Sequence, residues 1–287
     1  MAVELTVGYW VFTFLGILAT VFQVRLTFYI LQKYTIKSTT WKKLEYQLIL
    51  FRVLLDALNG MFSLTYYIST IPTLLYPDIF SFDVSFIIGL IASHFLEMRS
   101  FLAAVIAIER ALAATIPLQF YKYRNKVSNI PIFGFILSTG IACDIVLIGF
   151  CEFRLPLTLG CTSFACATPP CYQNYSTVTR IIYASTNGFF SALLCFRLFC
   201  LSWKRTKVPV DFKRANWLSL TDGLSTLSFD LLPSLIFSLK IIDVRGLGPV
   251  IGAFRQLGRA VEAGVMVMLM KKEPVADIRN SASFRIS

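Results

Sequence analysis

The chain has 287 residues, of which 56% are hydrophobic and 15% charged, and its formal net charge is +11. That much apolar surface exceeds what a soluble core of ordinary composition covers, which excludes a soluble globular protein and makes the bilayer its solvent. The positive charge gathers on one side of the predicted spans, where topology and anionic headgroups account for it, so nucleic acid is excluded as a partner and membrane lipid is expected.

Seven apolar stretches are predicted as membrane helices, at about 7–31, 48–71, 84–113, 130–151, 181–201, 215–239 and 248–270. From the N-terminus to the tail over 271–287, the segments outside them carry 0, 4, 0, 3, 2, 5, 2 and 4 Lys and Arg residues. Basic residues are retained in the cytoplasm, so this alternation predicts an extracellular N-terminus and a cytoplasmic tail. The expected fold is an all-α, single-domain bundle of seven transmembrane helices in the plasma membrane.

The first span lacks a basic leader and reads as a signal anchor. Only six residues precede it. A ligand site is therefore expected among the helices and outer loops. In the second span Arg52 and Asp56 stand four residues apart, and in the third His94 and Glu97 stand three apart; both pairs are expected to join within their own helix. At the cytoplasmic end of the third span comes Glu109-Arg110, followed by Pro117 and Leu118. Arg110 is expected to pair with Glu109 at rest and to turn toward a partner protein when the helices part. An ordinary headgroup anchor is the simpler role for such an arginine. Leu118 is an apolar residue on a basic loop, suited to docking or to dipping into the membrane.

After the fourth span, a predicted outer loop over 152–180 holds Cys161, Cys166 and Cys171, with Cys151 at its edge. Four cysteines allow three pairings, and the spacing does not choose among them. The same loop carries the glycosylation acceptor Asn174-Tyr175-Ser176. Before the sixth span, Lys204, Arg205, Lys207, Lys213 and Arg214 form a basic stretch that suits lipid or an acidic partner surface.

Asp222 lies about two turns into the sixth span, near the expected depth of Arg110, and a contact between the two is expected to lock the resting state. Pro233 is expected to kink that helix, and Asp230 to pair with Arg255 or Arg259 of the seventh, where Arg259 and Glu262 stand three apart. Phe86, Leu90, His94, Tyr183, Asn187, Phe237 and Phe254 fall in the outer halves of the third, fifth, sixth and seventh spans. A cavity lined by them would suit a small, largely apolar ligand.

Four segments, in order, carry a resemblance to a family: Ile108-Glu109-Arg110 through Pro117; Phe120-Tyr121-Lys122-Tyr123-Arg124; Cys161-x-x-Phe164-x-Cys166 through Cys171-Tyr172; and Phe229-Asp230-Leu231-Leu232-Pro233. Together they resemble the nematode serpentine chemoreceptors, most closely class bc. The resemblance implies a chemosensory G-protein-coupled receptor in sensory-neuron cilia, with a small-molecule ligand, a heterotrimeric G protein as partner, and no cofactor. It implies a coupling role for Glu109, Arg110, Pro117 and Leu118. The chain departs from rhodopsin-like receptors: Ala111 stands where they have tyrosine after the arginine, the seventh span lacks Asn-Pro-x-x-Tyr, and no cysteine occurs from Asp83 to Ala92.

The main rival is a small seven-helix transporter, which would show a repeat between spans 1–3 and 5–7; none is evident. An enzyme is not expected. His94 is the only histidine, so no multi-histidine metal site can form, and Gly246-Leu247-Gly248 is followed by Pro249 where an aspartyl protease needs Asp. A retinal protein is excluded by the absence of lysine from the seventh span.

Overall fold

The computed structural model describes residues 2–37, 44–76, 82–124, 126–155, 164–203, 217, 220–238 and 249–271. Helix α1 is Ala2–Lys37, α2 Leu44–Leu75, α3 Asp83–Thr115, and the short α4 Pro117–Arg124. Helix α5 is Ile130–Asp144, continued by a π-helical turn Ile145–Phe150; a single turn α6 covers Phe164–Ala167 and α7 runs Pro170–Trp203. The helical stretch over residues 220–238, here α8, contains the π-helical turn Thr226–Leu231 and the segment Leu232–Ser238; α9 is Val250–Lys271.

Four of these helices are long and apolar enough to span a bilayer unaided, over Val7–Lys33, Gln47–Pro72, Asp83–Thr115 and Ile130–Phe150. In α8 and α9 the charges Asp222, Asp230, Arg255, Arg259 and Glu262 face inward. Arg99, Asp222 and Arg259 are buried, whereas Phe14, Leu18 and Phe22 on α1 and Phe135, Ile141 and Ile148 on α5 are exposed. Charge inside and hydrocarbon outside is the arrangement expected of a bundle immersed in lipid, where an unpaired charge facing the chains would be costly.

The helices close into a ring. Helix α1 packs on α2 and α9, α2 on α3, α3 on α5 and α7, and α8 on both α7 and α9. Small residues set the tightest approaches: a Cβ on Gly258 of α9 would lie 2.6 Å from the Cβ of Phe229 on α8, so glycine is what lets this pair meet. The wide turn of α8 ends just before Pro233, whose ring cannot fit against a regular preceding turn and which has no N–H to donate.

One end of the bundle is closed by a disulfide between Cys151 and Cys171. Cys161 and the side chain of Cys166 lie outside the described residues. Helix α7 begins at Pro170, well ahead of the span expected from 181, so Cys171 and the exposed Asn174 sit on its first turns and not in a loop. The early start reflects Pro170 at the first helical position, where its missing N–H is no loss. Beneath the disulfide, Phe86 stacks against Phe153 at 4.8 Å and Phe164 at 5.1 Å, in a cluster with Tyr66, Tyr67, Phe82, Cys143, Leu147 and Tyr172.

Candidate functional site

At mid-depth four long helices send charged side chains to one point. Arg99 of α3, 1% exposed, is at its centre: Nε donates to Asp56 Oδ1 of α2 at 2.5 Å, and Nη2 to Glu262 Oε2 of α9 at 2.5 Å and to Asp222 Oδ1 of α8 at 3.3 Å. Arg52 of α2 donates to Asp222 Oδ1 at 2.5 Å and is also ion-paired with Glu262. Asn187 of α7 donates Nδ2 to Asp222 Oδ2 at 3.2 Å. Toward the disulfide end, Arg259 joins Asp230 and, at 3.4 Å, Glu262, and Arg255 Nε lies 3.0 Å from Asp230 Oδ1. Glu97 of α3 accepts from Arg180 Nε of α7 at 3.1 Å and from Ser176 at 3.3 Å.

These contacts replace several expected ones. Arg52 and Asp56 do not pair with each other: both point into the bundle, where Arg52 meets Asp222 and Glu262 while Asp56 meets Arg99. His94 turns from Glu97 to Asp144 of α5, with Nε2 3.1 Å from Oδ1. Arg259 keeps its contact with Glu262 but adds Asp230 from the facing helix. The partners of Asp222 are Arg52, Arg99 and Asn187, in place of the expected Arg110. Eleven residues of helix separate Arg99 from Arg110, about 16 Å of rise, and Asp222 lies at the level of the former.

The expected ligand residues do not share one cavity. Phe86 is packed under the disulfide with Leu90 beside it; His94 faces α5; Asn187 lies deep in the charge network. Phe254 is 39% exposed on the outside of α9, its ring 6.5 Å from that of Phe12 of α1. The side chain of Phe237 lies outside the described residues. A helix brings only one stripe of its surface to the interior, and depth along the span does not specify which stripe. Tyr183 does border a cavity, of about 20 Å³, between α3, α7 and α8, together with Ser100, Arg180, Thr226 and Asp230. A second cavity of similar size borders Gln23, Arg52, Asp56, Arg259 and Glu262. Each has room for about one water molecule.

At the end opposite the disulfide, Glu109 pairs with Arg124 of α4 and not with its neighbour Arg110. Adjacent helical residues diverge by about 100°, whereas Arg124 returns across the turn at Pro117. Arg124 also donates to the Val127 carbonyl at 3.0 Å and to Asn129, which in turn donates to Gln47 of α2 at 2.9 Å. Arg110 is buried, and Leu118 at the start of α4 is 88% exposed. The basic stretch of Lys204, Arg205, Lys207, Lys213 and Arg214 lies outside the described residues.

Sequence reasoning passed over Arg99, Arg124 and Arg180. Arg99 carried a usable signal: an arginine midway along an otherwise apolar span must find acids on other helices. Arg124 stands only as the end of the segment Phe120-Tyr121-Lys122-Tyr123-Arg124, with no role of its own, and Arg180 gives no signal, since it reads as an ordinary basic residue near a membrane edge.

The charges cross-link helices; among the described residues no group of three or more His, Cys, Asp or Glu side chains is placed to bind a metal ion. None of the curated proteins compared with the chain matches it. Residues 5–274 match the family described as serpentine type 7TM GPCR chemoreceptor Srbc, a stretch that takes in the whole charge network and the Glu109–Arg124 contact. The chain therefore belongs to the Srbc family of serpentine seven-transmembrane chemoreceptors.

Proposed function

We propose that this chemoreceptor detects a small molecule at the disulfide end of the bundle and passes the signal to a heterotrimeric G protein at the opposite end. The observation that carries the reading is the buried charge network, which ties α2, α3, α8 and α9 together through Arg52, Arg99, Asp222 and Glu262. Each of these two arginines has more than one carboxylate within reach. The network can therefore re-pair as the helices shift, and two packings can be close in energy. The π-helical turn before Pro233 gives α8 the play to move. A ligand selects one packing only through its differential affinity for the two.

The orientation follows the distribution of basic residues, with the N-terminus and the disulfide outside and the tail in the cytoplasm. The plasma membrane, and sensory-neuron cilia in particular, is the location that the family supports. Glu109, Arg110, Pro117 and the exposed Leu118 then face the G protein. Asp222 retains a place in the resting lock, with Arg52 and Arg99 as its partners.

The test is G-protein activation in cells carrying the chain at their surface, screened against a broad panel of small compounds. A ligand-dependent signal that Arg110→Ala abolishes at equal surface level supports the reading. Solute uptake by the same cells without any such signal overturns it in favour of a transporter.

A further inference from the structure

The charges of the interior divide unevenly along the bundle. On the disulfide side Arg180, Arg255 and Arg259 stand against Glu97 and Asp230. Deeper in, Arg52 and Arg99 stand against Asp56, Asp222 and Glu262. Among these ten groups the charges balance, and the local surplus of arginine lies toward the disulfide; Asp144, on α5 beside His94, stands apart from both groups. Arg259 spans the division, with Glu262 at 3.4 Å.

The cavity between α3, α7 and α8 adjoins that surplus. Arg180 on its wall meets Glu97 through Nε alone, so the N–H groups of Nη1 and Nη2 have no protein partner among the described residues. Thr226, 6% exposed, also lines the cavity, and its buried hydroxyl has no hydrogen-bond partner among the described residues. The acid on the wall, Asp230, is already held by Arg255 and Arg259. The groups left open are thus the Arg180 nitrogens and the Thr226 hydroxyl; Ser100, whose hydroxyl donates to the Leu96 carbonyl, and Tyr183 complete the polar wall, and Leu96, Ala184 and Leu231 are apolar. Open donors beside surplus positive charge, in a medium of low dielectric, make a place for an anion.

We propose that this cavity receives the acid group of a small organic acid. Its carboxylate accepts from the terminal nitrogens of Arg180 and from the Thr226 hydroxyl, and its hydrocarbon part lies along Leu96, Ala184 and Leu231. This names the ligand class for the receptor reading above and rests on that reading for its physiological meaning. The cavity in this packing has about 20 Å³, room for one water, so binding requires α3, α7 and α8 to part around it while Arg180, whose side chain is 23% exposed, stays on its wall. A bound carboxylate also lies beside Asp230 on the cavity wall, the residue that ties α8 to α9 through Arg255 and Arg259. Occupancy is thereby passed to the helix pair that contains the π-helical turn.

The experiment is direct binding to the purified full chain in lipid nanodiscs, read by calorimetry and by the shift in unfolding temperature. The probes are straight-chain monocarboxylates from butanoate to decanoate, each beside its methyl ester, with chloride and phosphate as inorganic anions. Acids should bind and their esters should not. Arg180→Gln should weaken binding roughly tenfold or more, and Thr226→Val roughly threefold, as expected for lost hydrogen bonds to a charged group. Arg180→Lys should retain part of the affinity, and the unfolding temperature of each ligand-free variant shows whether it is folded. Three results overturn the proposal: no binding by any acid up to millimolar concentration, equal binding of acid and ester, or unchanged binding in folded Arg180→Gln. Equal binding of chloride or phosphate overturns the organic-acid assignment. Signalling in response to neutral compounds with no acid binding refutes this site and leaves the receptor reading standing; acid binding with no G-protein response under any condition does the reverse.

Discussion

Glu109 at the end of α3 is ion-paired with Arg124 of α4, fifteen residues further along the chain. The contact turns an acid–arginine motif into a latch. It fixes α4, and with it the exposed Leu118, against the ends of α2 and α3 through Asn129 and Gln47.

If the latch holds the resting state, Glu109→Gln and Arg124→Gln should each raise ligand-independent G-protein activity. The double variant should do no more than either alone. A thermal double-mutant cycle should give a coupling of about 1 kcal/mol, in the range for contacting residues. Additive effects in the cycle would show that the two side chains act separately.

Arg99 faces three carboxylates from three other helices. Arg99→Met should lower stability in detergent by about 3–5 kcal/mol, since removing one member of a buried charge cluster leaves its partners uncompensated. Thermal unfolding of the purified protein measures this. Combining Arg99→Met with Asp222→Asn should recover part of the loss, because the second change removes one of the stranded charges.

At Gly258 an added Cβ meets Phe229 at Cβ and Cγ, 2.6 and 2.9 Å away, close to the backbone of α8. The contact cannot be relieved by rotating a distant side-chain tip. Gly258→Ala should therefore cost about 1–3 kcal/mol through overpacking, and Gly258→Ala with Phe229→Ala should restore part of it. Unfolding temperatures of the three variants distinguish this from a general intolerance of α9 to substitution.

The disulfide from Cys151 to Cys171 closes a sequence separation of 20. In the chain-entropy account a loop of that size contributes about 3 kcal/mol. Cys171→Ser should lower the unfolding temperature, Cys151→Ser should do so equally, and reductant should bring the unmodified protein to the same level. A stability unaffected by reductant would show that the link contributes little.

The alternation of basic residues and the apolar stretches between them were enough to predict a seven-helix membrane bundle, because the cost of placing charge in hydrocarbon is a property of composition along the chain. The same cost implies that Arg52, Asp56, Asp222 and Asp230 face inward and find partners. Which partners they find depends on helix rotation and axial depth, and these emerge only when all the helices pack. Hence Arg52 bypasses Asp56 for Asp222 and Glu262, Arg99 becomes the centre of the network, and Glu109 turns to Arg124. The choice of Cys171 as the partner of Cys151 likewise depends on where α7 begins relative to the end of α5. Local sequence sets what each helix must bury. Only the closed ring of helices decides against what, because a charge pair forms at hydrogen-bond distance and neighbours in space are not neighbours along the chain.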